Sequence, residues 1–257
     1  MARSSPRRRG AASAEAARQR SLLLYLSQRP NWSTEVLFVF PLFVVYQAGT
    51  FSSNQLNGVD LVSTLLFRLS SVSEYALLGL ASAVMVGVGY LYWRMRRRER
   101  FELRMILPVL AESAVYAVLM GTVILFVMNR ILGIAPPSLG AGSGYGPWMV
   151  VYVSAGAGLH EELVFRVAIY GGLAALLGSR TGLSRLVVVG LALAVSATLF
   201  SVSHHIPPHG EPFTLFAFVY RLLAGVIFGV LYAYRGFSTA VYTHFLYDVL
   251  VLGLFRG

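Results

Sequence analysis

The residues best suited to chemistry are His160-Glu161-Glu162-Leu163-Val164-Phe165-Arg166, with three formal charges inside a run that otherwise reads as a membrane-spanning helix. An ionisable side chain near the centre of a bilayer costs about 2.5–3.5 kcal/mol on insertion scales. Such groups persist where they pair with one another, line a wet cavity or react. Successive helical residues turn by about 100°, so Glu162 and Arg166, four apart, share a face and can neutralise each other. Glu161 and Arg166, five apart, diverge. One carboxylate is therefore expected to be held by the arginine and the other to be free to face a cavity. A cluster that merely locks helix packing needs only one acid and one base, and the second acid weighs against that reading.

Two further segments carry matching groups. Phe200-Ser201-Val202-Ser203-His204 closes one apolar run, and His244-Phe245-Leu246-Tyr247-Asp248 lies inside another. His244 and Asp248 are four apart and share a helical face, where an acid can hold one ring nitrogen and fix the tautomer. The chain has no cysteine, no Gly-x-Ser-x-Gly elbow and no phosphate-binding loop. The helical zinc pattern His-Glu-x-x-His is broken, because Val164 follows His160-Glu161 at the required position. What remains is a carboxylate with imidazole partners. Withdrawn from water, a glutamate can act as general base on a water molecule near neutral pH. A histidine can share that water or stabilise the developing oxyanion. Attack of water on a carbonyl, and so amide hydrolysis, is the reaction class that fits. Two rivals use the same residues: a zinc site built from His204 and His244 with Asp248 or Glu161, and a proton path or polar binding cavity in a transporter or scaffold. His205 and His209, beside Pro207 and Pro208, read as loop residues at the membrane edge. Tyr247 reads as a substrate donor or an interfacial aromatic.

These groups need apolar helices to position them. Apolar types make up 56% of the 257 residues and charged types 12%, against about a quarter charged in an ordinary soluble domain. The class is an all-α, polytopic membrane helix bundle of about seven to eight transmembrane helices with an internal polar cavity. The net charge of +10 sits in arginines between apolar runs, as in cytoplasmic loops, and does not mark a nucleic-acid binder. Residues 1–31 read as a basic, disordered cytoplasmic tail. Spans are expected at about Val36–Thr50, Tyr75–Trp93, Met105–Leu132, Trp148–Leu177, Leu186–His204, Phe213–Tyr234 and Phe237–Leu254, with an interfacial amphipathic helix at Val59–Leu69. Ser154-Ala155-Gly156-Ala157-Gly158 and the Gly225/Gly229 pair supply small residues for close helix contact. Arginine placement puts the amino terminus in the cytoplasm. On these spans Glu161 falls near mid-bilayer, His204 near the outer end and His244 in the inner half. A common pocket therefore requires tilt, shifted boundaries or partial re-entry of Phe200–Pro212.

Glu161-Glu162-x-x-x-Arg166, Phe200-x-x-x-His204 and His244-x-x-x-Asp248 together resemble the three motifs of the CPBP family. That family includes the type II CAAX prenyl endopeptidases and the bacterial bacteriocin-processing or self-immunity (Abi) proteins. The resemblance covers about residues 145–254. It implies an intramembrane glutamate endopeptidase that requires no metal or other cofactor. By motif position, Glu161 and His204 would activate water, Glu162 and Arg166 would support them, and His244 and Asp248 would complete the pocket and bind the oxyanion. The third motif more often ends in asparagine. An ionised Asp248 cannot donate a hydrogen bond, which shifts that burden to His244 and leaves Asp248 to orient it. The implied organisation is a tail at 1–31, N-terminal transmembrane helices at 32–144 and a CPBP-like catalytic core at 145–257. The implied partners are a membrane-tethered or lipidated protein substrate and the bilayer, with no nucleic acid. The implied location is a bacterial inner membrane.

Overall fold

The computed structural model describes residues 28–53, 57, 79, 83, 86–87, 89–95, 100–135, 144–206 and 210–254. The basic tail up to residue 27, the Val59–Leu69 segment, most of the Tyr75–Trp93 span and His209 lie outside the described residues. The described residues are mostly helical and contain no strand. Helix α1 is Trp32–Ser53 and α2 is Leu103–Ile131. Helix α3 is Pro147–Arg180, α4 is Arg185–Ser203, and α5 is Leu215–Arg235. Helix α6 is Phe237–Leu254. A short helical stretch also runs over 89–95. Helices α1 to α5 are each long and apolar enough to cross a membrane, and the chain is an integral membrane protein.

Local chemistry sets the helix ends. The Asn31 carboxamide oxygen accepts from the Thr34 amide at 2.9 Å and starts α1. Pro147 occupies the first turn of α3, where its missing N–H costs nothing. Thr214 caps α5 by accepting from the Ala217 amide at 3.1 Å, and Ser184 stands in the same position before α4. Between α5 and α6 the chain reverses at Gly236, whose φ of 100° belongs to glycine. Glu35 of α1 reaches into that turn and accepts from the Phe237 amide at 3.0 Å. It occupies the space that a side chain at position 236 would need.

Helix α6 is the central strut. Every residue from Phe237 to His244 is buried, and the helix packs on α1, α2, α3 and α5. Small residues permit the approach. A side-chain carbon added to Gly158 would lie 2.8 Å from the Val241 carbonyl oxygen and 3.0 Å from the Phe245 amide, so α3 and α6 meet backbone to backbone. Gly225 of α5 faces the Ala197 backbone of α4 in the same way. Gly156 instead makes room for the Tyr46 ring of α1. The apolar core falls into two clusters, one joining α1, α2, α3 and α6, the other joining α2 to α6 around Phe165, Phe200 and Phe228. The observed limits of α4, α5 and α6 fall within two residues of the expected spans.

Candidate active site

Helix α3 is not a regular α-helix where it carries the charges. Ala157–Glu161 and Leu163–Gly171 are π-helical, with α-helical geometry before and after. The i→i+5 pattern widens the helix and is typical of functional positions. It lies where α3 presses on α6 at Gly158 and where both glutamates point inward.

Glu162 and Arg166 form the fully buried base of the site. Arg166 Nε lies 3.0 Å from Glu162 Oε2, and neither side chain is exposed. The guanidinium also donates to the Gly225 carbonyl of α5 at 3.3 Å and sits 4.5 Å above the Phe200 ring. The other oxygen of Glu162 accepts from His244 Nδ1 at 2.8 Å. This bond was not foreseen. The spacing of His244 and Asp248 offers one acid for the imidazole, and Glu162 of α3 supplies a second, at Nδ1. Asp248 stands instead at the opposite nitrogen, with Oδ2 3.6 Å from Nε2. Phe228 stacks on the His244 ring at 4.4 Å, and Phe200 meets it edge-on at 5.8 Å. The imidazole is thereby held in plane as well as by hydrogen bond.

Glu161 points to the other side. Its Oε2 lies 3.5 Å from His204 Nε2 and 4.0 Å from His244 Nε2. His204 is the residue that ends α4. Its Nδ1 donates to the Phe200 carbonyl at 2.8 Å, so in the neutral ring the Nε2 lone pair faces Glu161. All six residues singled out by type and spacing, from three helices, thus converge. They do so with the limits of α4 and α6 within one residue of those expected, and with α3 π-helical at the site and close against α6 at Gly158.

The sequence reading missed Asn57. Its carboxamide donates to Glu161 Oε1 at 2.9 Å, while its amide donates to the Tyr46 hydroxyl of α1 at 2.9 Å. The available signal was a set of polar residues in the mixed stretch 51–74, which periodicity cannot connect to a helix one hundred residues later. His160, although part of the charged run, turns away to the Gly156 carbonyl at 3.0 Å and the Tyr46 ring at 4.5 Å. His205 bonds the Glu211 carbonyl at 3.2 Å and stays in the α4–α5 loop. The Tyr247 hydroxyl pairs with the Tyr220 hydroxyl of α5. Among the described residues, no group of three or more histidine, aspartate or glutamate side chains is placed to hold a metal ion. A cavity of about 340 Å³, lined by Arg29, Trp32, Glu35 and Tyr232 among others, opens by the Gly236 turn and includes none of the six residues.

No curated protein and no solved structure matches the chain. Residues 143–250 match the family model described as type II CAAX prenyl endopeptidase Rce1-like. That stretch contains α3 to α6 up to residue 250, and with them Glu161, Glu162, Arg166, His204, His244 and Asp248. Over residues 143–250, then, the chain is similar to the Rce1-like type II CAAX prenyl endopeptidases.

Proposed function

We propose that the protein is an intramembrane endopeptidase that hydrolyses a peptide bond of a membrane-associated, CAAX-type or otherwise lipidated substrate. The match of residues 143–250 to that family model supports a peptidase. The observation that carries the mechanism is the facing of Glu161 Oε2 and the Nε2 atoms of His204 and His244 across 3.5 and 4.0 Å. Separations of this size suit a shared water better than a direct bond. A carboxylate oxygen and an unprotonated imidazole nitrogen are both acceptors. A water between them donates one hydrogen to each and turns its lone pair outward.

Attack of that lone pair on the scissile carbonyl forms the new C–O bond while Glu161 takes a proton. The carbonyl electrons move to oxygen. His244, when doubly protonated, donates from Nδ1 to Glu162 and offers its Nε2–H to the oxyanion. Collapse breaks the C–N bond, and Glu161 returns the proton to the departing amine. Glu162 and Arg166 hold His244 and do not touch substrate. Asp248 aligns Nε2–H. Asn57 fixes the rotamer of Glu161 by engaging the oxygen that does not face the water.

The charge pattern supports a cytoplasmic amino terminus, and the proposed location is a bacterial inner membrane. The test compares membrane proteomes of cells carrying the wild-type protein and Glu161→Gln. A substrate that stays uncut in the variant is expected. Identical processing in both overturns the proposal.

A further inference from the structure

The six-residue constellation is not evenly enclosed. Glu162, Arg166 and His244 are buried, whereas the side chains of His204 and Asp248 are 25% and 24% exposed. Substrate must arrive from that side, and a second cation stands there. Arg221 of α5 lies one turn before Gly225, on the same helical face. That face supplies the carbonyl to Arg166 and abuts Ala197 of α4. Arg221 lies within electrostatic range of both His204 and Asp248. It forms an ion pair with Glu211, and the two side chains are 27% and 40% exposed. Glu211 is brought there by the end of α4, since its amide donates to the His204 carbonyl at 2.9 Å.

Arg166 and Arg221 therefore differ in kind. Arg166 is sealed under Phe200 and committed to Glu162. Arg221 is half-open, and its carboxylate partner sits on a loop. A partly exposed pair of this sort is weak, so another carboxylate can replace Glu211 at little cost. Guanidinium suits that exchange, because its planar fork accepts a carboxylate bidentately. The open side of the site otherwise presents Asp248, and Glu161 lies buried close by; both acids repel an anionic peptide. A cation at its rim reverses that.

We propose that Arg221 is a specificity residue that takes a carboxylate of the substrate peptide, and that Glu211 occupies the same position in the resting enzyme. This rests on the peptidase reading above. The carboxylate has two sources, the free chain terminus or an acidic side chain near the scissile bond. The chemistry is the same and the experiment separates them.

The experiment measures binding to full-length protein carrying Glu161→Gln, so that affinity is read without turnover. The probes are an S-prenylated CAAX-type peptide with a free terminal carboxylate, its C-terminal amide, and the amide with one glutamate after the prenylated cysteine. At least one carboxylate-bearing peptide is expected to bind roughly tenfold more tightly than the neutral amide, about 1.4 kcal/mol. The peptide that does so identifies the source. Adding Arg221→Gln should abolish that preference while leaving affinity for the amide unchanged. Adding Glu211→Gln should tighten binding of the preferred peptide. A merely structural ion pair predicts the same loss in both variants. Equal affinity for all three peptides, no binding of any, a preference that survives Arg221→Gln, or parallel losses in both variants would overturn the proposal. Hydrolysis by the Glu161→Gln background would count against the catalytic reading instead, and the same comparison is then made with peptides carrying an uncleavable isostere of the scissile bond.

Discussion

Glu161 and Glu162 are neighbours in the chain with opposite surroundings, and the difference sets what each substitution should do. Glu162 sits between Arg166 and His244 with no exposed atoms. Breaking a buried pair from one side leaves an uncompensated charge and costs about 3–5 kcal/mol. Arg166→Met is therefore expected to lower the yield of folded protein in detergent. The double change Glu162→Gln with Arg166→Met should recover folding, measured by thermal unfolding, yet stay poorly active because His244 loses its carboxylate. Recovery of full activity as well would show that Glu162 does not orient His244. Asn57→Ala removes a donor to the proposed base. It is expected to lower kcat roughly tenfold, equivalent to about 1.4 kcal/mol, with KM little changed. An unaltered kcat would remove Asn57 from the site.

Helix α3 carries the site because two features of its sequence act together. Small residues at 154–158 let α6 and the Tyr46 ring approach, and the π-helical turns direct both glutamates inward. Gly158→Leu should push α3 off α6 and separate Glu161 from His244. The expectation is a fall in both unfolding temperature and kcat, whereas Gly190→Ala, on an open stretch of α4, should change neither. Helix identity was legible from apolar length, and the pairing of Glu162 with Arg166 was legible from their spacing of four. The π-helical turns were not, since hydropathy reports which residues avoid water and not how the backbone is wound. The bond from Glu162 to His244 joins residues 82 apart in sequence, and no periodicity within one helix encodes a contact between two.

At the scale of the whole molecule, the first half of the chain is tied to the part that matches the family model. Glu112 of α2 receives Arg235 at 2.8 Å and the Thr239 hydroxyl at 3.1 Å, while Glu35 of α1 caps α6. These contacts hold the turn that launches His244 toward the site. Glu112→Gln should lower thermal stability, with activity falling only as the folded fraction falls. Water activation by Glu161 and His204 needs no metal, so chelation is expected to leave the rate unchanged. Activity lost on chelation and restored by zinc would favour the histidine-ligated rival. The central claim is that Glu161, with His204, activates water, and single-turnover cleavage of a prenylated peptide by purified Glu161→Gln tests it most directly. Loss of a general base costs about 10²–10⁴-fold, so the variant should cleave at or near background while binding peptide normally. Cleavage at the wild-type rate would contradict the account.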